Sequence, residues 1–480
     1  VIGDRCRRVL IVGAGEAARM IASEISCSAE INATIEGFLD DDVTLAGAEI
    51  EGAPVLGRTT ELESVVADRG IDEVIISIPT APGRFVRDIV RRCRRAGVEY
   101  KIVPGLMEII RGTVHIDQIR EVRVEDLLGR ETVSFDLESA ARSLAGKRIL
   151  VTGAGGTIGS ELCRQLARVK PAALIMLGRG ENRIFAIEQE IRADNPGFEI
   201  VTVINDLREP ERLLKLMKRL APDVVYHTAA HKHVHYMERD PEEAVLNNVA
   251  ATINLVKAVE KCGAERFVFI STDKAADPKG VMGATKRLVE MYLRGIDPES
   301  ACRFITVRFG NVIGSTGSVV PLFVDQIARG GPVTVSHPGA TRFFMTVREA
   351  TLLVIQASVS GKGGETYILD MGEALNILEM ARDIIMLTGH DPDEEIPIEF
   401  SGLREGEKLH EVLIGEDEIL EPPVSGEKIM LARSPAAVGK DFGAGVDRLI
   451  KAAEKGDRDG VLRMMSELIP GFGDDPGRSS

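Results

Sequence analysis

The chain has 480 residues, of which 44% are apolar and 28% charged. That is a globular mixture rather than a disordered one, with length for more than one core. Against 59 Lys and Arg stand 74 Asp and Glu, a net charge of −15 at pH 7, which excludes non-specific binding to nucleic acid or anionic lipid. An anionic ligand therefore has to be held locally, by placed cations and backbone N–H groups. Cys6, Cys27, Cys93, Cys163, Cys262 and Cys302 are scattered, with no C-x-x-C pair, which predicts a reduced, cytoplasmic chain without metal. Apolar runs such as Ala172–Leu177 reach about a third of the ~20 residues a membrane helix needs. Neither a span nor a signal peptide is read. The chain opens with Val1, and a membrane tether in a longer form stays open.

In chain order, Arg8-Val9-Leu10-Ile11-Val12 predicts a strand, Gly13-Ala14-Gly15 a turn and Glu16–Ser26 a helix. A second strand ends in Phe38-Leu39-Asp40, and Asp72–Ile78 and Tyr100–Val103 follow. Arg148-Ile149-Leu150-Val151-Thr152-Gly153-Ala154-Gly155 then repeats Arg8 to Gly15 at an offset of 140 residues. After it come a helix over Ile158–Val169 and the apolar runs Ala173–Leu177, Glu199–Ile204, Val224–Thr228, Phe267–Ser271 and Phe304–Phe309. Alternation of this kind predicts an α/β protein with two doubly wound Rossmann-type parallel sheets in tandem. The expected divisions are a nucleotide-binding domain over 1–130, a linker over 131–147, and a second domain over 148–470. In the second, the alternation weakens into a smaller C-terminal lobe from about residue 310. The tail 471–480 is expected to be disordered.

Gly13-x-Gly15-x-x-Ala18 after a strand has the dinucleotide spacing, and Asp40 is placed to bind a ribose. An empty or repurposed nucleotide fold is the alternative there. The second turn, with glycines at 153, 156 and 159 between strand and helix, is more specific and resembles the cofactor loop of the extended short-chain dehydrogenase/reductases. Where an acid would bind the adenosine ribose stand Gly178-Arg179. A guanidinium suits a 2′-phosphate, which favours NADP slightly over NAD; a solvated loop cation is the alternative. Asp206, after the third strand, is positioned for the adenine amino group.

Strand Phe267–Ile270 ends in Ser271-Thr272-Asp273-Lys274, and residues just past a strand's carboxyl end face the ligand crevice of such a sheet. A carboxylic acid beside an amine offers a proton donor and a proton acceptor; a loop salt bridge is the plainer reading. Met282-Gly283-Ala284-Thr285-Lys286 fills the slot where the superfamily carries Tyr-x-x-x-Lys. Positions four apart share a helix face, so Lys286 is expected at the nicotinamide ribose and Met282 toward the substrate. Methionine cannot deprotonate a hydroxyl, which disfavours a simple alcohol dehydrogenase or epimerase and leaves a dead enzyme as an alternative. His227, His231 and His235 are spaced by four, but no cysteine or carboxylate pattern supports them as metal ligands.

Ile270-Ser271-Thr272-Asp273-Lys274-Ala275, Met282 to Arg287 and Val307-Arg308-Phe309-Gly310-Asn311-Val312 together resemble the long-form UDP-N-acetylglucosamine 4,6-dehydratases of polysaccharide biosynthesis. His231 to Val234, Gly317-Ser318-Val319, Thr341 to Met345 and Gly402-Leu403-Arg404-Glu405-Gly406-Glu407-Lys408-Leu409 extend the match over nearly the whole chain. Long members of that family begin with membrane helices, so the resemblance implies a soluble truncation or relative, at the inner membrane face if tethered. Most relatives carry Asp where Gly178 stands. The family reaction moves a hydride from sugar C4 to the nicotinamide, which makes C5 acidic through a 4-ketone. The C6 hydroxyl is then eliminated and the hydride returned to C6, so that a tightly bound cofactor is recycled.

The resemblance implies Lys274 as the base at C5, an amine that has to be neutral and whose pKa burial and nearby cations would lower. It implies Asp273 as the acid for the C6 hydroxyl, and Thr272, with Lys286, at the C4 oxygen. The cofactor would lie against Thr152, Gly153, Gly156, Thr157, Ile158, Gly159, Arg179, Asp206, Leu207, Ala229, Ala230, Lys232, Asn248 and Lys286. The UDP-sugar would meet Lys232, Asn311, Ser318, Val319, Arg342, Arg404 and Glu407, the two arginines serving the pyrophosphate unless they are surface ion pairs. A homo-oligomer, dimer or larger, is expected by resemblance. A nucleotide-sugar 4-epimerase and a non-catalytic nucleotide-binding scaffold are the competing readings.

Overall fold

The computed structural model describes residues 6–27, 32–78, 81, 83–103, 119–128, 137–194, 197–296, 300–421, 428–434 and 438–473. Positions 131–136 of the expected linker and 474–480 of the expected tail lie outside them. The chain divides into two compact units. One takes Val1–Val133 with Leu322–Val333 and Glu379–Ile398, and the other takes Ser134–Pro321, Thr334–Leu378 and Glu399–Ser480.

The first unit holds β1 (Arg7–Val12), β2 (Ala33–Leu39), β3 (Glu49–Ile50), β4 (Ala53–Gly57), β5 (Glu73–Ile76) and β6 (Glu99–Ile102), in the order β3-β4-β2-β1-β5-β6. All neighbours are parallel except β3 with β4. Successive residues of a strand face opposite sides, so Leu10 and Val12 pack with Val86, Ile89 and Val90. Val9 and Ile11 turn to Ala18, Ile21 and Ala22 on the other face. A sheet covered on both faces needs strands that are apolar throughout, which is why β1 is legible as an unbroken run.

The second unit repeats the plan with β7 (Arg148–Thr152), β8 (Ala173–Gly178), β9 (Glu199–Ile204), β10 (Val224–His227), β11 (Arg266–Ile270) and β12 (Arg303–Arg308). Their order is β12-β11-β10-β7-β8-β9, all parallel. The chain steps outward from β7 to β9 and then returns to β10, so the order reverses between β7 and β10. The crevice beyond the carboxyl ends of these two strands is the position where such sheets take ligands. The expected weakening after residue 310 conceals three further strands of this sheet. Thr366–Leu369 joins β12 in parallel, and Ile429–Arg433 and Ile419–Glu421 follow antiparallel at the edge. Helices Phe442–Glu454 and Arg458–Leu468 lay Val446, Leu449, Val461 and Met465 into the same core as Val256, Leu288 and Val289.

One buried ion network ties the late segments to the parallel strands. Arg308, fully buried at the end of β12, donates to Glu290 at 2.6 and 3.1 Å and to Glu418 at 2.7 and 3.1 Å. Arg287 adds a bidentate pair to Asp417 at 2.9 and 3.0 Å and a contact with Glu418. Burial alone would raise the Glu418 carboxyl, but hydrogen bonds and charge from Arg308, then Arg287, outweigh it and bring it down to about 2 from 4.5. Replacing Arg308 by Met strands two buried carboxylates, and urea titration is expected to show a loss of about 3–5 kcal/mol. A carboxylate held below its unfolded value gives stability that is complete above about pH 4.5 and is lost as pH falls toward 2. Acid unfolding of Glu418→Gln against the native chain, pH unit by pH unit, should therefore show their stability difference shrinking across that window.

Candidate active site

The second glycine turn is shaped for close approach. Gly153 has φ +69°, and a Cβ there would sit 2.8 Å from the Ala229 nitrogen, so only glycine fits. Gly156 occupies the cap position of helix Thr157–Ala167 and supplies no side-chain oxygen, so the first N–H groups of the helix face the crevice with their partial positive charge. Under the turn, Thr152 Oγ1 meets His227 Nδ1 at 2.7 Å, and His227 Nε2 meets Thr252 Oγ1 at 2.8 Å. Burial, then the charge of Lys286, pushes His227 down to about 3, so this imidazole is a neutral strut.

Of the three histidines spaced by four, His231 pairs with Glu243 at 3.2 Å and His235 packs on Tyr236. Among the described residues no group of three or more His, Cys, Asp or Glu is gathered as metal ligands. Ala229 and Ala230 follow β10 beside the turn, and Leu207 is buried in the core. Asn248 lies in the π-helical stretch Val245–Ala250, where it accepts from the His231 N–H at 2.8 Å and donates to Thr285 Oγ1 at 3.1 Å. The positive helix end and the small residues of the turn fit the pyrophosphate of a dinucleotide.

At the far end of the cradle, Arg179 reaches Asp206 at 3.5 Å and stays 44% exposed. The closer partner of Asp206 is Arg208, at 2.7 Å through its guanidinium and 3.0 Å through its backbone N–H. Burial alone would raise the Asp206 carboxyl, but Arg208 outweighs it and lowers it. Arg208 was not among the expected residues; its place two residues after an acid was the available signal.

At the end of β11, Thr272 caps the short turn Asp273–Ala275 and donates to Asp273 Oδ1 at 2.8 Å. Asp273 is fully buried, and its Oδ2 has no hydrogen-bond partner. Lys274 Nζ lies 3.1 Å from Asp273 Oδ1 and 3.3 Å from Oε1 of Glu411. Here the expectation of a lowered lysine is corrected. Burial alone would lower Lys274, but the charges of Asp273 and Glu411 outweigh it and hold the ammonium above the ordinary lysine value. The amine that is brought down, to about 8, is Lys286, through burial against a weaker pull from Glu290. Its Nζ donates to the Ile270 carbonyl at 2.8 Å and stands over the Phe269 ring.

Helix Val281–Arg294 approaches this turn through Gly283, where any Cβ would strike the Lys274 carbonyl. Met282, 4% exposed, packs among the apolar core residues, and its carbonyl accepts from Thr285.

The expected substrate residues fall into two groups. Lys232 donates to the Thr316 carbonyl at 2.8 Å, and Thr316 N–H reaches Thr157 Oγ1 at 3.3 Å, so the 315–318 loop lies over the start of helix Thr157–Ala167. Ser318 Oγ is buried without a partner, and Val319 follows it. Asn311 donates to the Phe343 carbonyl at 3.3 Å. Arg342 is already engaged by Glu407 at 2.6 Å, by the carbonyls of Thr341 and Leu409, and by Glu411 at 3.6 Å. Arg404 is exposed. Glu411 and Lys408, which line one small cavity with Lys274, Lys279 and Gly283, went unread as site residues.

In the first unit, Gly13 and Gly15 lie in the turn after β1, Ala18 is buried in the following helix Glu16–Cys27, and Asp40 directly follows β2. Asp40 Oδ2 accepts from the Ala14 N–H at 2.7 Å and Oδ1 from the Asp42 N–H at 2.9 Å, so the carboxylate closes the turn itself.

Residues 149–433 match the family model described as polysaccharide biosynthesis protein. The chain belongs to this family. Residues 3–104 match a model described as a CoA-binding domain. The chain is 45% identical over 414 residues to the probable polysaccharide biosynthesis protein EpsC of Bacillus subtilis, covering 86% of this chain and 69% of that one. It is 31% identical over 278 residues to a UDP-N-acetylglucosamine 4,6-dehydratase (inverting) of Campylobacter jejuni, covering 57% of this chain and 79% of that one. A UDP-glucose 4-epimerase of Rickettsia canadensis matches at 31% over 285 residues, 57% of this chain and 79% of that one. Among solved structures, Pen from Bacillus thuringiensis superposes with a TM-score of 0.55 at 34% identity, over 61% of this chain and 88% of that one. Among the described residues no helix is long and apolar enough to cross a membrane.

A lysine held below its ordinary value costs stability while it is charged. The penalty is complete below about pH 8 and is relieved as pH rises toward 10.5. In urea titrations without added nucleotide, the native chain is expected to gain on Lys286→Met across that window; a pH-independent difference contradicts the assignment.

Proposed function

We propose that the second unit is a nucleotide-sugar-modifying enzyme that binds NAD or NADP in the 152–159 cradle and acts as a 4,6-dehydratase on a UDP-N-acetylhexosamine, UDP-N-acetylglucosamine first. The observation that carries the reading is the Asp273–Lys274 pair. A buried carboxyl with one unpartnered oxygen touches an amine at the end of a strand beside the cradle. An epimerase moves no group at C6 and has no use for that acid.

The bound dinucleotide would accept and return the hydride at the sugar. The chain's own residues do the rest. The N–H groups at the start of helix Thr157–Ala167 hold the pyrophosphate of the cofactor. Thr272 binds the C4 oxygen and, with Lys286, takes up the C4 hydroxyl proton as the ketone forms; Lys286 also holds the nearby ribose. Lys274, once neutral, removes the C5 proton. The C5–H electron pair forms the C5–C6 double bond as the C6 hydroxyl leaves with a proton from Asp273 Oδ2, the oxygen without a partner, and the Lys274 ammonium returns its proton to C5 as C6 is reduced. Lys232, Asn311, Ser318, Val319, Arg342, Arg404 and Glu407 form the nucleotide-sugar side; Arg342 would have to exchange part of its Glu407 pairing for phosphate oxygens. The first unit is read as a nucleotide-type fold with its own ligand at Gly13, Gly15, Ala18 and Asp40.

Cofactor-replete protein incubated with UDP-N-acetylglucosamine is expected to give a 4-keto-6-deoxy product one water lighter by mass spectrometry. A product of unchanged mass and inverted C4 identifies the epimerase instead, and unchanged sugar refutes both. Lys274→Ala should abolish the product with nucleotide binding retained. Arg179→Ala is expected to weaken NADP relative to NAD by about tenfold in fluorescence titrations, the worth of one charge-assisted hydrogen bond; an unchanged ratio returns Arg179 to a solvent-facing role.

A further inference from the structure

We infer that Glu411 is a positioning residue that completes the Asp273–Lys274 pair: it aims the Lys274 amine and stabilises the ammonium formed when that amine takes the C5 proton. The inference rests on the dehydratase reading and adds to it a residue that lies in neither the strand nor the helix carrying the other groups.

The geometry is specific. The Glu411 side chain is 2% exposed, an environment in which carboxylates are rarely found without a function or a full set of partners. Its Oε1 stands 3.3 Å from Lys274 Nζ and 3.6 Å from Arg342 Nε, while Oε2 has no hydrogen-bond partner. Glu411 and Lys274 line the same cavity, together with Gly283, Lys279 and Lys408. The groups facing Glu411 are thus Lys274 from the strand-end turn, Arg342 from the Thr341–Arg342 strand, and Lys408 and Lys279 around the cavity. A stability role alone explains neither the buried, unpartnered oxygen nor the wall Glu411 shares with the amine.

The proton balance follows. Before the step the Lys274 ammonium passes a proton to the Asp273 carboxylate 3.1 Å away, which leaves a neutral amine and a carboxylic acid with Glu411 beside the amine. The C5–H bond breaks, an N–H bond forms on Nζ, and the released pair forms the C5–C6 double bond as the C6 hydroxyl leaves with a proton from Asp273. The new ammonium then sits against the Glu411 carboxylate. This is the relation of a buried acid to the base it orients in a nucleophile–base–acid triad.

Glu411→Gln keeps the shape and removes the charge. Its kcat is expected to fall by about 100-fold, within what acid–base partners contribute, with KM little changed. Because a carboxylate beside an amine favours the protonated form, removing it should also move the rising limb of the kcat–pH profile to lower pH by about 1 unit. Glu411→Asp, which keeps the charge, should return the limb to its native position and recover part of kcat. A Glu411→Gln enzyme with native kcat and an unmoved limb overturns the proposal while leaving the dehydratase reading intact. A native chain that makes no keto product, or a Lys274→Ala variant with normal turnover, overturns both. Should Glu411→Gln fail to melt cooperatively, Glu411→Asp decides: a reduced kcat at native KM supports the role, and native kcat overturns it.

Discussion

The chemistry of the second unit hangs on one face of helix Val281–Arg294. Gly283, Lys286 and Glu290 are spaced by three and four, so they form a single stripe. Along it, Gly283 meets the Lys274 carbonyl, Lys286 reaches the Ile270 carbonyl, and Glu290 accepts from Ser271 at 2.6 Å. Each contact lands on the same five-residue run at the end of β11. The strand end, the acid and the amine are therefore fixed as one body, and the permitted distance of approach is set by the missing Cβ of a glycine. Glu290 passes the constraint on to Arg308 and, through it, to Glu418.

A strongly acidic chain that handles an anion must concentrate its cations, and the structure spends them unequally. Arg308 and Arg287 are consumed by carboxylates in the core, and Arg342 is partly consumed by Glu407. The 152–159 turn offers instead backbone N–H groups, which carry no net charge and need no counter-ion. Two lysines a dozen residues apart end in opposite electrostatic states because their partners differ. Lys274 has two carboxylates within reach, whereas Lys286 has a carbonyl and an aromatic ring.

Both sheets were legible because parallel strands covered on two faces are continuous apolar runs, and the repeat at 140 residues marked an inner strand of each. The two glycine turns were legible from spacing and context. Asp273 and Lys274 are adjacent in the chain, so their pairing was legible too, but the state of the lysine was not. That state depends on Glu411, 137 residues further on, which follows a recognisable string at Gly402–Leu409 and belongs to no periodic pattern. The late strands escaped for a related reason: Ile419–Glu421 and Ile429–Arg433 are short and only partly buried. An edge of that kind carries neither the unbroken apolar signal of a central strand nor a clear alternation.

The paired helices at Phe442–Glu454 and Arg458–Leu468 have a practical consequence. They shield the apolar side of the helices that flank the strand-end turn, with Leu449 and Met465 wholly out of contact with water. A fragment cut at the last strand, near Arg433, would keep every residue assigned to chemistry and still bare a continuous oily surface. Such a fragment should self-associate, so boundaries for expression belong beyond Phe472, however dispensable the final segment looks from the motifs alone.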